Sequence, residues 1–152
     1  MIKYLFILIL CLCSLNIDAQ KIYYGNSTME SDIICNVNSN NLMYFSNSRL
    51  TSNIIIRFDG TYVYAGNSIM SSDIIGTWHN NKFYMGKSTM NSDILVTYNN
   101  GTFYRGNSTM TTDILFTYRN NKVYKENSVM SSDIILTTEY KTHPIFIILI
   151  LL

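Results

Sequence analysis

The chain has 152 residues, an apolar fraction of 47% and a formal net charge of +1. That length provides one domain with enough apolar side chains for a core. The few Lys and Arg are scattered along the chain, so the clustered basic footprint of a nucleic-acid or anionic-membrane binder is missing. Asn, Ser, Thr, Ile and Tyr are abundant and Pro144 is the one proline, a mixture that favours strands and turns over helices.

At the N-terminus, Lys3 supplies a positive segment, Leu5 to Leu15 an apolar run, and Ile17-Asp18-Ala19 a small-residue cleavage site ahead of Gln20. Residues 1–19 therefore read as a secretory signal peptide, with a secreted, periplasmic or cell-envelope destination. An uncleaved anchor is the alternative, but the run is shorter than the ~20 apolar residues a spanning helix needs. Cys11 and Cys13 both follow Leu instead of the small residue that lipidation requires. Both would leave with the signal, so the mature chain keeps Cys35 and forms no internal disulfide. Cys35 reads as a small, buried, inert thiol.

From Lys21 to Tyr140 the chain repeats itself. Ser27, Ser48, Ser68, Ser88, Ser108 and Ser128 follow one another at 20 residues after a first step of 21. Four residues before each stands Tyr23, Tyr44, Tyr64, Tyr84, Tyr104 or Tyr124. Two after it come Met29, Met70, Met90, Met110 and Met130, with Leu50 in the second copy. Five after it come Asp32, Asp73, Asp93, Asp113 and Asp133, with Asn53 in the second copy. Repetition of this length marks a solenoid, a propeller or another closed array.

Each copy reads as a hairpin. Asp113-Ile114-Leu115-Phe116-Thr117-Tyr118 is β-branched and aromatic, Asn120-Asn121 breaks it, and Lys122-Val123-Tyr124-Lys125 alternates again. Asp59-Gly60, Asn80-Asn81 and Asn99-Asn100-Gly101 are equivalent turns, built from residues that tolerate positive φ. The second connection, as in Gly66-Asn67-Ser68-Ile69-Met70-Ser71-Ser72, is expected to be a longer turn with its Met pointing inward. A lone two-stranded unit cannot bury its apolar face, so the copies must pack on one another or close into a ring. The expected fold is all-β: six hairpin-like repeats over residues 20–141 in a closed or solenoid-like array, with Ile, Tyr and Met layered in a shared core. The second copy, with Asn53, Leu50 and Arg57, is expected at a seam or edge. Residues 142–152 form an apolar segment, His143-Pro144-Ile145-Phe146-Ile147-Ile148-Leu149-Ile150-Leu151-Leu152, too short to span a bilayer and too apolar for water. Burial at the centre or an edge of the array is expected, with contact to a membrane or partner as the alternative.

Units such as Tyr64 to Trp78 and Tyr104 to Tyr118, of the form Tyr-x-Gly-Asn-Ser-x-x-x-[Ser/Thr]-Asp-Ile-[Ile/Leu]-x-Thr-[Tyr/Trp], resemble those of the bacterial 7(1) septoil knot domain proteins. The resemblance covers Lys21 to Tyr140. It implies a short exported protein with an all-β domain whose backbone winds through itself as a torus-type knot, and it implies no established activity.

Candidate chemistry is sparse. The recurring Asp could gather Ca²⁺ with Ser and Asn oxygens, yet each follows Ser or Thr and precedes a strand, the position of an Asx turn. The Gly-Gly-x-Gly-x-Asp turns of calcium-binding β-helices are absent. The recurring Tyr with Asn and Ser suits carbohydrate recognition, while packing within the sheet suits it too. Trp78 stands where neighbouring copies carry Tyr or Phe and reads as structural. His79 in a turn and His143 beside Pro144 belong to no triad of nucleophile, base and orienting group, with Cys35 or otherwise. Catalytic, cofactor and metal residues are therefore expected to be none, and no enzyme is expected. The sequence points to a structural or interaction scaffold at the envelope with a protein or glycan partner, no nucleic-acid partner and no transmembrane helix after cleavage. Its runner-up is a multivalent, lectin-like glycan binder.

Overall fold

The computed structural model describes residues 19–152. The signal peptide assigned to residues 1–19, with Cys11 and Cys13, lies outside the described residues except for Ala19.

Twelve short strands follow one another: β1 (Gln20–Tyr24), β2 (Ile33–Val37), β3 (Leu42–Phe45) and β4 (Ile54–Phe58). Then come β5 (Tyr62–Ala65), β6 (Ile74–His79), β7 (Lys82–Met85) and β8 (Ile94–Asn99). The last four are β9 (Thr102–Arg105), β10 (Ile114–Arg119), β11 (Lys122–Lys125) and β12 (Ile134–Thr138). Every strand pairs antiparallel with its neighbours in sequence, and β1 pairs with β12 through Ile22↔Thr138, Tyr23↔Thr137 and Tyr24↔Leu136. The result is a closed all-β barrel of six repeats in up-and-down order, without a crossover connection.

Two kinds of connection alternate around the barrel, one at each end. At one end, residues of high positive-φ tolerance make the tight turns that the sequence announces: Asn80 and Asn81 (φ 49° and 58°), Asn100 and Gly101 (46° and 85°), Asn120 and Asn121 (51° and 60°). Two consecutive residues at positive φ define the hairpin turn whose twist matches that of the strands it joins. At the other end, the longer Ser-Met-Asp loop contains one short 3-10 turn per copy, such as Ser71–Asp73. Across each of these loops the register slips by one residue, as between Val63↔Gly76 and Tyr64↔Ile74. The slip leaves one extra residue per repeat, a bulge that adds twist and bends the sheet toward closure.

Alternation sorts the strands into two faces. Inside the barrel lies the residue before each repeat Tyr: Ile22, Met43, Val63, Phe83, Phe103 and Val123, all essentially buried. Cys35, Val96, Phe116 and Leu136 join them from the following strands. A barrel of about 8 strands can fill its interior with its own side chains, and a wider one leaves a bore. Here the bore is filled by the helix α1 (Pro144–Leu151). Four consecutive residues, Ile145, Phe146, Ile147 and Ile148, are at most 2% exposed, which requires walls on every side of the helix. A helix that is apolar all round is a core helix, and at ~1.5 Å per residue its eight residues reach about 12 Å, matched to strands of four to six residues at ~3.3 Å each. The segment expected at the centre or an edge thus occupies the centre.

Two expectations are corrected. The repeat methionines do not point inward: Met29, Leu50, Met70, Met90, Met110 and Met130 are 63–67% exposed. Each sits just before a 3-10 turn at the loop end, with its backbone amide held by the repeat Ser, and the bore that would have received it already holds α1. The second copy does not lie at a seam or edge either, because the ring closes between β1 and β12 while β3 and β4 sit between β2 and β5.

Packing against α1 demands complementary sizes from the wall. Gly76 takes an inward position where other copies carry Cys35, Ile56, Val96, Phe116 and Leu136, and the Phe83 ring lies over it. A Cβ at Gly76 would fall 2.2 Å from Phe83 Cε2. Gly76→Ala is expected to destabilise the fold by about 1–3 kcal/mol through overpacking, with Gly76→Ala/Phe83→Leu recovering part of the loss. Urea unfolding of the three proteins checks this, and an unchanged midpoint in the single variant would show that the ring has room to move.

Candidate functional site

The recurring Ser and Asp form a clasp within each loop. Ser27 Oγ donates to Asp32 Oδ2 at 2.5 Å, and the same bond at the same distance joins Ser68 to Asp73, Ser108 to Asp113 and Ser128 to Asp133. Ser88 and Asp93 pair likewise. Each of these Ser Oγ atoms also accepts the Met backbone N–H two residues on, at 3.0–3.1 Å. The Asp N–H in turn donates to the Met carbonyl, closing the 3-10 turn. In the second copy the bond reverses: Asn53 Nδ2 donates to Ser48 Oγ at 2.7 Å, as an amide must when it replaces a carboxylate. The clasp therefore keeps its shape and loses its charge.

This arrangement occupies one carboxylate oxygen with the repeat Ser. In four of the copies the other oxygen accepts from the adjacent Ser31, Ser72, Ser92 or Ser132 at 3.1–3.4 Å. The Asp residues are distributed around the barrel, and among the described residues no group of three or more His, Cys, Asp or Glu is placed to hold a metal ion. Turn formation is the role the geometry gives them.

The Tyr set belongs to the outer face, yet Tyr23, Tyr64 and Tyr84 are only 5–8% exposed, and Tyr44, Tyr104 and Tyr124 are half-buried. Tyr64 and Tyr84 therefore offer no open platform. Tyr64 donates to Asp59 Oδ2 at 2.9 Å, and that bond raises the phenol's pKa. Desolvation pushes the Asp59 carboxyl upward, but the Tyr62 and Thr61 amides and the Tyr64 hydroxyl hold it below the usual carboxylate value. Beneath the Tyr layer, Thr77, Thr97 and Thr137 each donate to the carbonyl of the loop glycine on the neighbouring strand at 2.7 Å, bracing the outer wall.

The histidines stand apart. His79 ends β6, exposed, beside a hairpin turn. His143 caps α1: its Nδ1 accepts the Ile145 N–H at 3.2 Å, with Pro144 at the first helical position. Its ring lies 5.1 Å from Phe58 and 5.4 Å from Trp78, and desolvation there lowers its pKa below 6.5. Trp78 thus helps seat the helix entrance, a structural role. Cys35 is buried in the core, and burial alone pushes its thiol to about 12, well away from a nucleophile's range. Neither imidazole is brought to a carboxylate pair or to Cys35 by any hydrogen bond among the described residues.

One open cleft of 580 Å³ lies at the hairpin-turn end, between the β8–β9 and β10–β11 turns and the segment leading to α1. Sequence reasoning missed it. Its wall includes Lys141, which lies past the last strand and meets the turn residues only in the folded chain.

A closed antiparallel barrel of six hairpin repeats, each locked by a Ser-Asp clasp and together plugged by one apolar helix, defines a β-repeat protein of sixfold character. A family model described as "6-fold beta flower protein" matches residues 22–149, and the chain belongs to that family. No curated protein and no solved structure matched the chain.

Two outcomes follow from the clasp and the cap. Asp113→Ala is expected to cost about 1 kcal/mol, the usual net worth of a hydrogen bond, while Ca²⁺ leaves the unfolding midpoint of the unaltered protein where it is. A Ca²⁺-dependent rise reversed by EDTA would reinstate the metal reading. For His143, the depressed folded value means that the folded state favours the neutral ring. The stability this contributes is present above the ordinary value of 6.5 and is lost as pH falls through the lower folded value. His143→Asn, which caps without titrating, should flatten the stability profile between pH 6.5 and the ordinary carboxylate value of 3.8. An identical slope in both proteins would assign the acid loss elsewhere.

Proposed function

We propose that the protein is an exported, non-catalytic scaffold of the cell envelope that engages a protein partner through the loop end of its barrel. The observation that carries this reading is the ring of Met29, Leu50, Met70, Met90, Met110 and Met130. One apolar side chain per repeat stands 63–67% exposed, at the same place in each copy. Met is flexible and polarizable, suited to surfaces that adapt to a partner, and six equal positions permit multivalent contact. Exposure of so many large apolar side chains on one end of a barrel marks an interaction surface.

Export rests on the character of residues 1–19, and a bacterial envelope on the resemblance to septoil knot domain proteins, whose tandem units share the repeat motif. A lectin-like role for the repeated Tyr has less to rest on, since Tyr64 and Tyr84 are closed off by packing.

A photoreactive methionine analogue tests the loop reading. Placed at Met70 or Met110 in the full chain, it should cross-link one recurring envelope protein, whereas the analogue at Met43, 2% exposed inside the barrel, should not. Equal yields at the three positions, or cross-links to no common species, would refute an interaction role for the loops. Deleting residues 1–19 should retain the protein in the cytoplasm.

A further inference from the structure

Sixfold repetition presents similar hairpin turns around one end of the barrel, and the segment between β12 and α1 breaks that symmetry. It must cross the turn end to enter the bore, and where it passes the β8–β9 and β10–β11 turns it walls in the 580 Å³ cleft. That volume lies in the range of small-molecule sites.

The crossing segment is pinned. Tyr118 Oη shares a hydrogen bond of 2.9 Å with Thr138 Oγ1 and accepts the Thr142 N–H at 3.0 Å. Thr138 Oγ1 also donates to the Tyr140 carbonyl at 2.8 Å. Lys141 therefore sits between two anchored residues. Its ammonium makes no ion pair among the described residues, where Lys21 with Glu30 is the ion pair present. Arg119 also lines the cleft, but its guanidinium lies over the Tyr124 ring at 4.7 Å and hydrogen-bonds the Ser128 carbonyl in the loop at the other end of the barrel. Lys141 is therefore the cation this lining offers, and the lining holds no carboxylate.

The remaining walls are of another kind. Asn100 and Asn120 present amides from turns whose backbone is fixed at positive φ, so their positions are set before any ligand arrives. Tyr98 closes the side, its ring packed 4.9 Å from Phe103 and its hydroxyl without a hydrogen-bond partner among the described residues.

We propose that this cleft binds a sugar acid, a pyranose carrying a carboxylate. Lys141 meets the carboxylate. The Asn amides and the Tyr98 hydroxyl donate to and accept from ring hydroxyls. Neutral sugars leave the Lys141 ammonium without a counter-charge, and a bare anion leaves the amides and the phenol unused. This site is independent of the Met ring, which lies at the opposite end of the barrel, and it differs from the repeated Tyr positions as well.

Isothermal titration calorimetry of the full chain decides the matter, with a short oligogalacturonate, its methyl ester and acetate as probes. The acid should bind. Because a charge-assisted hydrogen bond is worth enough to change affinity tenfold or more, the ester and the Lys141→Gln variant should each bind about tenfold more weakly. Lys141 is exposed, so its replacement leaves the fold intact, and Lys125→Gln, a charge removed outside the cleft lining, should bind as the unaltered protein does. Absence of binding, an ester that binds as well as the acid, or a Lys141→Gln variant with unchanged affinity would overturn the assignment. Acetate matching the oligomer in affinity would overturn it too, leaving an anion site with no recognition of the sugar.

Discussion

The width of the barrel is the constraint on which the rest of the molecule depends. Twelve strands enclose more space than their inward side chains can fill, and an unfilled apolar bore forfeits the dispersion contacts of every residue that lines it. Helix α1 supplies the missing atoms. Ile145 to Ile148 are buried on every side of the helix, each such residue contributing roughly 1.5–3 kcal/mol of apolar burial. The wall is shaped to receive it, with Gly76 making room for Phe83 where other copies place larger residues. A protein of this design needs no disulfide, and its one described cysteine is spent as a core residue.

Filling the bore from within also makes the two ends of the barrel different. The helix enters at the hairpin-turn end, where His143 terminates it and Tyr118 pins the approach. That passage breaks the sixfold pattern at the turn end, and there the cleft forms. The loop end keeps its repetition. Its Ser-Asp clasps hold each loop in one shape, and the exchange of donor and acceptor roles at Asn53 and Ser48 shows that the shape, not the carboxylate, is what the loop requires. Methionines fixed beside such rigid turns project into solvent at equal intervals. Repetition thus leaves a ring of equivalent exposed side chains at one end, and its interruption a single cleft at the other.

Much of this was legible in residue order. The period of 20, the strand alternation and the Asn-Asn and Asn-Gly turns predict six hairpins in a closed or solenoid-like array, and the closed barrel is what forms. The Asp positions do lie in turns, but the repeat Asp accepts from the Ser hydroxyl five residues earlier, and that Ser, not the Asp, takes the turn amide that Asx bonding would have used. The repeat Met was misread. Its spacing is as regular as that of the core residues, and regularity alone does not distinguish a side chain repeated for packing from one repeated on the surface. The second copy was misplaced for a related reason: substitutions such as Arg57 and Asn53 look like an edge, yet in a ring each copy has two neighbours and local changes are absorbed by new bonds, as between Arg57 and Asn67.

What the sequence by itself determined are the features set by contacts within a few residues: turn type from Asn and Gly, strand from β-branched alternation, clasp from Ser and Asp five apart. Backbone preferences and short side-chain bonds do not wait for the rest of the chain. Tertiary structure alone decided which apolar residues are buried, that the final apolar segment becomes a helix inside the bore, and that Lys141 meets Asn100, Asn120 and Tyr98. These depend on barrel closure between β1 and β12, residues more than a hundred positions apart. Burial is a property of what surrounds a side chain, and only the closed ring supplies the surroundings.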